Sequence, residues 1–165
     1  MILGMTTANF TLLHVLISLV GIGSGFIVIY GLLTANGLAN WSLLFLATTI
    51  ATSVTGFAFP NEHVTPGIVV GVLSLVVLAI AILARYAFHL NGAWRWIYVV
   101  TAALALYLNT FVLVVQLFEK VPALRALAPT QKEPPFMVAQ LAVLALFIFL
   151  TVLSVKRFRV QPAQA

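Results

Sequence analysis

Apolar residues run along this chain in long blocks separated by short polar breaks. Segments 10–33, 41–59, 66–90, 93–118 and 136–155 are each dominated by Leu, Val, Ile, Ala and Phe. A hydrocarbon core of roughly 30 Å needs about 20 such residues at about 1.5 Å rise each. Each block is therefore predicted to be a transmembrane helix, and the chain an all-α, five-span bundle forming a single domain. The breaks carry matching chemistry. Ala35-Asn36-Gly37 and Asn91-Gly92 are turn signals, Pro60-Asn61 ends the second block, and Pro66 and Pro134-Pro135 suit the first turns of the third and fifth.

The stretch before the first block has no positive charge, the block is long, and no convincing small-x-small cleavage motif follows it. It reads as a span and not as a cleaved leader. The longest break, 119–135, contains the mildly amphipathic Val121-Pro122-Ala123-Leu124-Arg125-Ala126-Leu127, expected to lie on the surface as one or two helical turns.

Five spans put the termini on opposite sides. With the C-terminus inside, the inner side holds Arg85, Arg95, Lys156, Arg157 and Arg159, and the outer side Lys120, Arg125 and Lys132. That bias follows the positive-inside rule and predicts N-terminus out, C-terminus in. The acids Glu62, Glu119 and Glu133 all fall outside, so the net +5 is carried by the inner side. Arg85 can snorkel to the inner headgroups, Trp94, Arg95, Trp96 and Tyr98 sit where an interfacial belt belongs, and Lys156, Arg157 and Arg159 suit anionic headgroups.

Composition agrees. The chain is 63% hydrophobic and only 7% charged, with a mean hydropathy of +1.17, against roughly 25% charged residues in a soluble domain. The expected solvent is lipid. There is no cysteine, which removes disulfides, thiolate metal sites and thiol redox chemistry. The basic residues are too few and too scattered for a nucleic-acid footprint.

In lipid, small and polar residues mark helix contacts. His14, Ser18, Gly21 and Gly25 form one stripe of the first span; Gly67, Gly71 and Ser74 repeat the pattern in the third. The second span is hydroxyl-rich, with Thr48, Thr49, Thr52, Ser53 and Thr55. Its threonines can bond back to their own helix or line a hydrated face. Asn109, Gln116 and Gln140 are the amides of the last two spans. Placed by depth, His14, Thr52, Gln116 and Gln140 fall in the outer half, with Asn109 near the middle, Glu62 and His63 at the rim, and Glu119 capping the fourth span. An unpaired polar group in lipid is costly, so these groups are expected to converge on an outward-facing polar pocket.

Several chemistries suit such a pocket. His14 and His63 with Glu62 or Glu119 have the composition of a zinc, copper or iron site, and the two histidines could serve as haem axial ligands. A histidine and amides beside Phe10, Phe57, Phe59 and Phe136 could instead hold a quinone or lipid headgroup. A small-solute transporter acting as an oligomer is a third reading, although no inverted repeat and no mid-span proline supports it. An accessory role, with the small-residue faces packed against a membrane-protein partner or a second copy, is the fourth.

Trp94-Arg95-Trp96-Ile97-Tyr98-Val99-Val100, Tyr107-Leu108-Asn109, Val114-Val115-Gln116 and the segment 128–136 resemble small, uncharacterised bacterial inner-membrane proteins over the C-terminal half. The resemblance implies a bacterial cytoplasmic membrane and supplies no activity, cofactor or site residue. In span number the chain is also similar to the tryptophan-rich sensory and translocator proteins. Their tryptophan–proline pattern in the first loop is missing here, since residues 35–40 contain neither proline nor an aromatic, and their tetrapyrrole binding is not carried over.

Overall fold

The computed structural model describes residues 2, 4–60 and 65–159. Their order is α1 (Thr7–Leu33), α2 (Ala39–Gly56), α3 (Pro66–Ile82) continuing into a π-helical turn (Leu83–Ala87), α4 (Trp94–Lys120), the short α5 (Pro122–Leu127) and α6 (Pro134–Arg157). The helix starts follow local chemistry. Thr6 caps α1 by accepting from Asn9 N at 3.2 Å, and Thr65 caps α3 by accepting from Ile68 N at 3.4 Å, with Pro66 in the first turn where its missing N–H is not needed.

Among the described residues, four helices are long and apolar enough to cross a membrane: α1, α3 with its π turn, α4 and α6. This is the framework of a multi-pass membrane protein. α2, the second of the five expected spans, is not among them. It has 18 residues and ends at Gly56, short of the expected 59. Asn40, Ser42 and the hydroxyl run 48–55 dilute its apolar content.

Neighbouring helices run antiparallel, and the register can be read from side chains. Gly31 lies beside Leu38, Gly25 beside Phe45, Gly21 beside Thr48 and Thr49, and His14 beside Thr55. α2 thus returns along α1 for almost its whole length. α3 passes α2 the other way, with Gly71 against Phe57. α4 is the hub. It meets α2 through Tyr98–Ser42 and Asn109–Thr49, α1 through Leu106 at Gly25, and α6 through Tyr107–Phe147 and Phe118–Phe136. Half of α4's most apolar stretch is buried, against 11% of that of α6, so α6 presents most of its surface to the surroundings.

Two glycines permit this packing. A Cβ at Gly25 would stand 2.5 Å from Leu106 Cδ1 and 2.9 Å from the Phe45 ring. One at Gly31 would stand 2.7 Å from Asn36 O, across the tight α1–α2 turn in which Ala35 takes φ 56. Only a hydrogen fits at either place.

The end carrying the α1–α2 turn is closed by arginines. Arg85 Nη2 donates to Gly37 O at 2.9 Å, and its guanidinium lies 5.2 Å from the centre of the Tyr98 ring. Tyr98 is wholly buried and donates from its hydroxyl to Ser42 Oγ at 3.1 Å. Arg95 Nη1 donates to Val155 O at 3.3 Å and to Phe158 O, at the C-terminal end of α6. A cation at a helix C-terminus complements the helix dipole and occupies carbonyls that no further turn can satisfy.

Candidate functional site

Among the expected site residues, His14 lies in the second turn of α1 and faces α2. Its Nδ1 lies 2.8 Å from Thr55 Oγ1 on α2. The Thr55 hydroxyl has one proton, and that proton has a partner: Oγ1 donates to Ala51 O at 2.7 Å, one turn back along its own helix. With the proton so placed, the threonine oxygen is an acceptor suited to the tautomer of His14 that carries its hydrogen on Nδ1. Nε2 is then an unprotonated lone pair. It makes no hydrogen bond to a described residue.

The ring is oriented by its neighbours. The edge of Phe59 meets the imidazole at 5.2 Å and 85°, and Phe10, itself buried, meets Phe59 at 5.2 Å. Gly56 lies alongside, where an added Cβ would stand 3.7 Å from His14 Cε1. Thr52 is one turn deeper on α2, and its Oγ1 is buried with no hydrogen-bond partner. Buried hydroxyls are seldom left so, because an unsatisfied group costs about 1–3 kcal/mol.

Below this lies a second polar contact. Asn109 Nδ2 donates to Thr49 Oγ1 at 3.4 Å and lies 3.7 Å from where a Cβ of Gly21 would be. Together they form a polar seam between α1 and α2, joined at mid-depth by α4.

No family model, curated protein or solved structure matches this chain. The site must be read from its own geometry.

The other expected pocket residues have separate partners. Gln140 Nε2 donates to Phe111 O at 3.2 Å on the α4–α6 contact, while its Oε1 is buried and unpartnered. Gln116 is exposed and donates to Glu119 Oε2 at 3.3 Å. Glu62 and His63 lie outside the described residues. His14 and Glu119 have different partners, and among the described residues no three His, Cys, Asp or Glu side chains gather to hold a metal ion.

Of the packing stripe, Gly21 and Gly25 are buried against α2 and α4, and Ser18 bonds back to His14 O at 2.7 Å. A Cβ at Gly71 would meet the Phe57 ring at 3.0 Å, while Gly67 is exposed and would meet only Thr65 Oγ1, at 3.6 Å. Among the expected lipid anchors, Arg85 and Arg95 are half-buried and bond to backbone carbonyls. Trp94 stacks on Phe88 at 3.9 Å, and Trp96, Lys156, Arg157 and Arg159 are exposed.

The feature that residue types alone did not supply is the Thr55 pairing. Its composition signal, a hydroxyl-rich helix, does not say which hydroxyl faces the histidine. A half-open depression of about 320 Å³ lies elsewhere, where α4, α5 and the following turn meet.

Proposed function

We propose that this chain is a small-ligand-binding accessory module of the bacterial cytoplasmic membrane, with five spans, its N-terminus outside and its C-terminus inside. Nε2 of His14 is the atom that receives the ligand. One observation supports the reading: His14 Nδ1 lies 2.8 Å from Thr55 Oγ1, and the Thr55 hydroxyl lies 2.7 Å from Ala51 O, an arrangement that suits the tautomer with hydrogen on Nδ1 and a lone pair on Nε2. Metal-ligating histidines are held in the same way, the second ring nitrogen donating to a fixed oxygen.

A lone-pair donor with aromatic neighbours suits two ligand classes. One is a metal-centred cofactor such as haem, which needs a single axial imidazole from this helix and brings its other ligands itself. The other is a hydroquinone, whose hydroxyl would donate to Nε2 while its tail lies in lipid. A bare metal ion is served less well, since one imidazole is a poor set of ligands. The orphan Thr52 hydroxyl, one turn deeper, supports a polar headgroup near the same seam.

The fifth span is supported by the register of α2, which runs from the Gly31–Leu38 turn back to the level of His14. The orientation is supported by the excess of basic residues at the end that holds Arg85, Arg95 and the α6 terminus.

The test uses protein purified from its own membrane in mild detergent. A visible spectrum, metal analysis and quinone extraction are compared for wild type, His14→Ala and Thr55→Val. A stoichiometric chromophore or quinone that is absent in His14→Ala and reduced in Thr55→Val supports the site. A ligand retained equally by all three places binding elsewhere, and no ligand in folded wild type removes the reading.

A further inference from the structure

At the end of the bundle where α4 finishes, Glu119, Lys120, Arg125, Thr130 and Gln131 line the half-open depression of about 320 Å³, a volume within the range of small-molecule sites. Its loop side is held by hydrogen bonds. Gln131, at φ 58, reaches back to α4 and donates from Nε2 to Val115 O at 3.0 Å. Glu133 closes the turn between them, accepting from Thr130 Oγ1 at 2.8 Å, Thr130 N at 3.3 Å and Lys132 N at 3.1 Å. Ala128, at the end of α5, is fully buried. The depression thus has a hydrogen-bonded frame on the loop side and a helix on the other.

The charges inside it are unequal. Glu133 is spent on the turn, and Glu119 accepts from Gln116. Lys120 and Arg125 supply two cations to the lining, and Glu119 supplies one carboxylate. A ligand that matches both signs has an anionic group able to take two cations and a smaller cationic group. Phosphate fits the first, since guanidinium and ammonium groups bind its oxygens through strong charge-assisted bonds. An ammonium fits the second. The depression is lined by the last turn of α4, a helix long and apolar enough to cross a membrane, and lies beside α5 with its exposed Leu127, a position that suits a lipid headgroup.

We propose that this depression is a second binding site, independent of His14, for a zwitterionic phosphate–ammonium group of the phosphoethanolamine class. Arg125 and Lys120 take the phosphate and Glu119 takes the ammonium. The group can arrive on a phospholipid or as a free phosphodiester.

The experiment uses the full chain in maltoside detergent. Glycerophosphoethanolamine is titrated calorimetrically, with glycerophosphoglycerol and ethanolamine as probes lacking one charge each. Saturable binding of the first is expected, with Arg125→Ala or Lys120→Ala weakening it about tenfold, the size of one lost hydrogen bond to a charged group. Glu119→Gln is expected to erase the preference over glycerophosphoglycerol while leaving phosphate binding in place.

Native mass spectrometry with phosphatidylethanolamine and phosphatidylglycerol then separates the sources. Selective retention of the ethanolamine lipid identifies a headgroup site; saturable soluble binding without lipid selectivity identifies a free ligand. The proposal is overturned if neither soluble probe nor lipid saturates. It is equally overturned if folded Arg125→Ala and Lys120→Ala variants, with wild-type thermal unfolding, bind as wild type does.

Discussion

At the scale of single residues, the imidazole of His14 and the Cα of Gly25 show how much depends on what surrounds an atom. His14 Nδ1 lies 2.8 Å from Thr55 Oγ1, and the proposed ligand contact at Nε2 depends on that threonine accepting the Nδ1 hydrogen. Thr55→Val keeps the shape and removes the acceptor. Besides weakening ligand retention, it should cost about 1 kcal/mol in unfolding free energy, the net worth of one hydrogen bond, read as a lower midpoint in detergent. Thr55→Ser should behave as wild type. Gly25→Ala is expected to be worse, by about 1–3 kcal/mol, because the new methyl collides with Leu106 and Phe45 and forces them off their rotamers. Gly23→Ala, two residues away, has open space around its Cβ and should leave the midpoint unchanged or raise it slightly through helix propensity. A Gly25→Ala midpoint equal to that of Gly23→Ala would show that the α1–α2–α4 contact is looser than described.

Glu133 gives a residue-scale pH dependence. Desolvation raises its pKa, but hydrogen bonds from the Thr130 hydroxyl and from backbone N–H groups of the turn together outweigh it and hold the carboxyl below its ordinary value. A depressed carboxyl stabilises the folded turn fully above the unfolded pKa, about 4.3 for Glu. That contribution fades as pH falls through the lower, folded value. Amide protection of Thr130 and Lys132, followed by NMR as the sample is acidified, should drop in that window. Glu133→Gln should remove the pH dependence, and a wild-type profile flat through the window would contradict the assignment.

At the scale of elements, the helical blocks were legible because length and apolar content alone decide whether a segment can cross a bilayer. α1, α4 and α6 follow their apolar blocks closely. The end of the third block was not legible. The apolar pattern continues through residue 90, yet the α-helix stops at Ile82, gives way to a π turn over Leu83–Ala87, and ends in two left-handed residues, His89 at φ 48 and Leu90 at φ 58. Hydropathy does not register a change of helical pitch. The partner of Arg85 was hidden for another reason. Gly37 O is a backbone atom 48 positions away, and backbone acceptors leave no mark in residue types.

For the expected pocket residues, sequence depth carries no information on facing: His14 meets Thr55 of the hydroxyl-rich helix, whereas Gln116 bonds to Glu119 and Gln140 to Phe111 O. The arginine clamps carry a prediction at this scale. Arg85→Ala removes a charged hydrogen bond to the α1–α2 turn, and Arg95→Ala frees two carbonyls of the α6 terminus. Each should destabilise by about 1.5–3 kcal/mol. If both arginines only touched lipid, Arg→Lys would rescue each. As carbonyl clamps each sets one guanidinium nitrogen at a fixed carbonyl site, Arg85 Nη2 at Gly37 O and Arg95 Nη1 at Val155 O and Phe158 O, and the ammonium of Lys, with a different reach and geometry, should recover little. Unfolding midpoints of the four variants in one detergent decide between these roles.

At the scale of the whole molecule, the open question is whether α2 crosses the membrane, since that choice sets the side of everything before it. Its composition falls short of the other four helices, but it runs beside α1 from Leu38 to Thr55, and 18 residues at about 1.5 Å each reach roughly 27 Å, close to a hydrocarbon core. A hydroxyl-rich helix can lie in lipid when its hydroxyls bond back to its own carbonyls, as Thr48 does to Leu44 O, Ser53 to Thr49 O and Thr55 to Ala51 O. The absence of cysteine makes the test direct. Single cysteines at Asn36, Ala58, Asn91 and Ala126, all exposed positions, are offered a membrane-impermeant maleimide on intact cells and again after permeabilisation. A five-span chain with its C-terminus inside labels at 58 and 126 from outside, and at 36 and 91 only after permeabilisation. Labelling of 36 and 58 from the same side would mean that α2 does not cross. The reverse pattern, with 36 and 91 open and 126 protected, would keep the five spans but invert them, and would put His14 and the phosphate–ammonium depression on the cytoplasmic side.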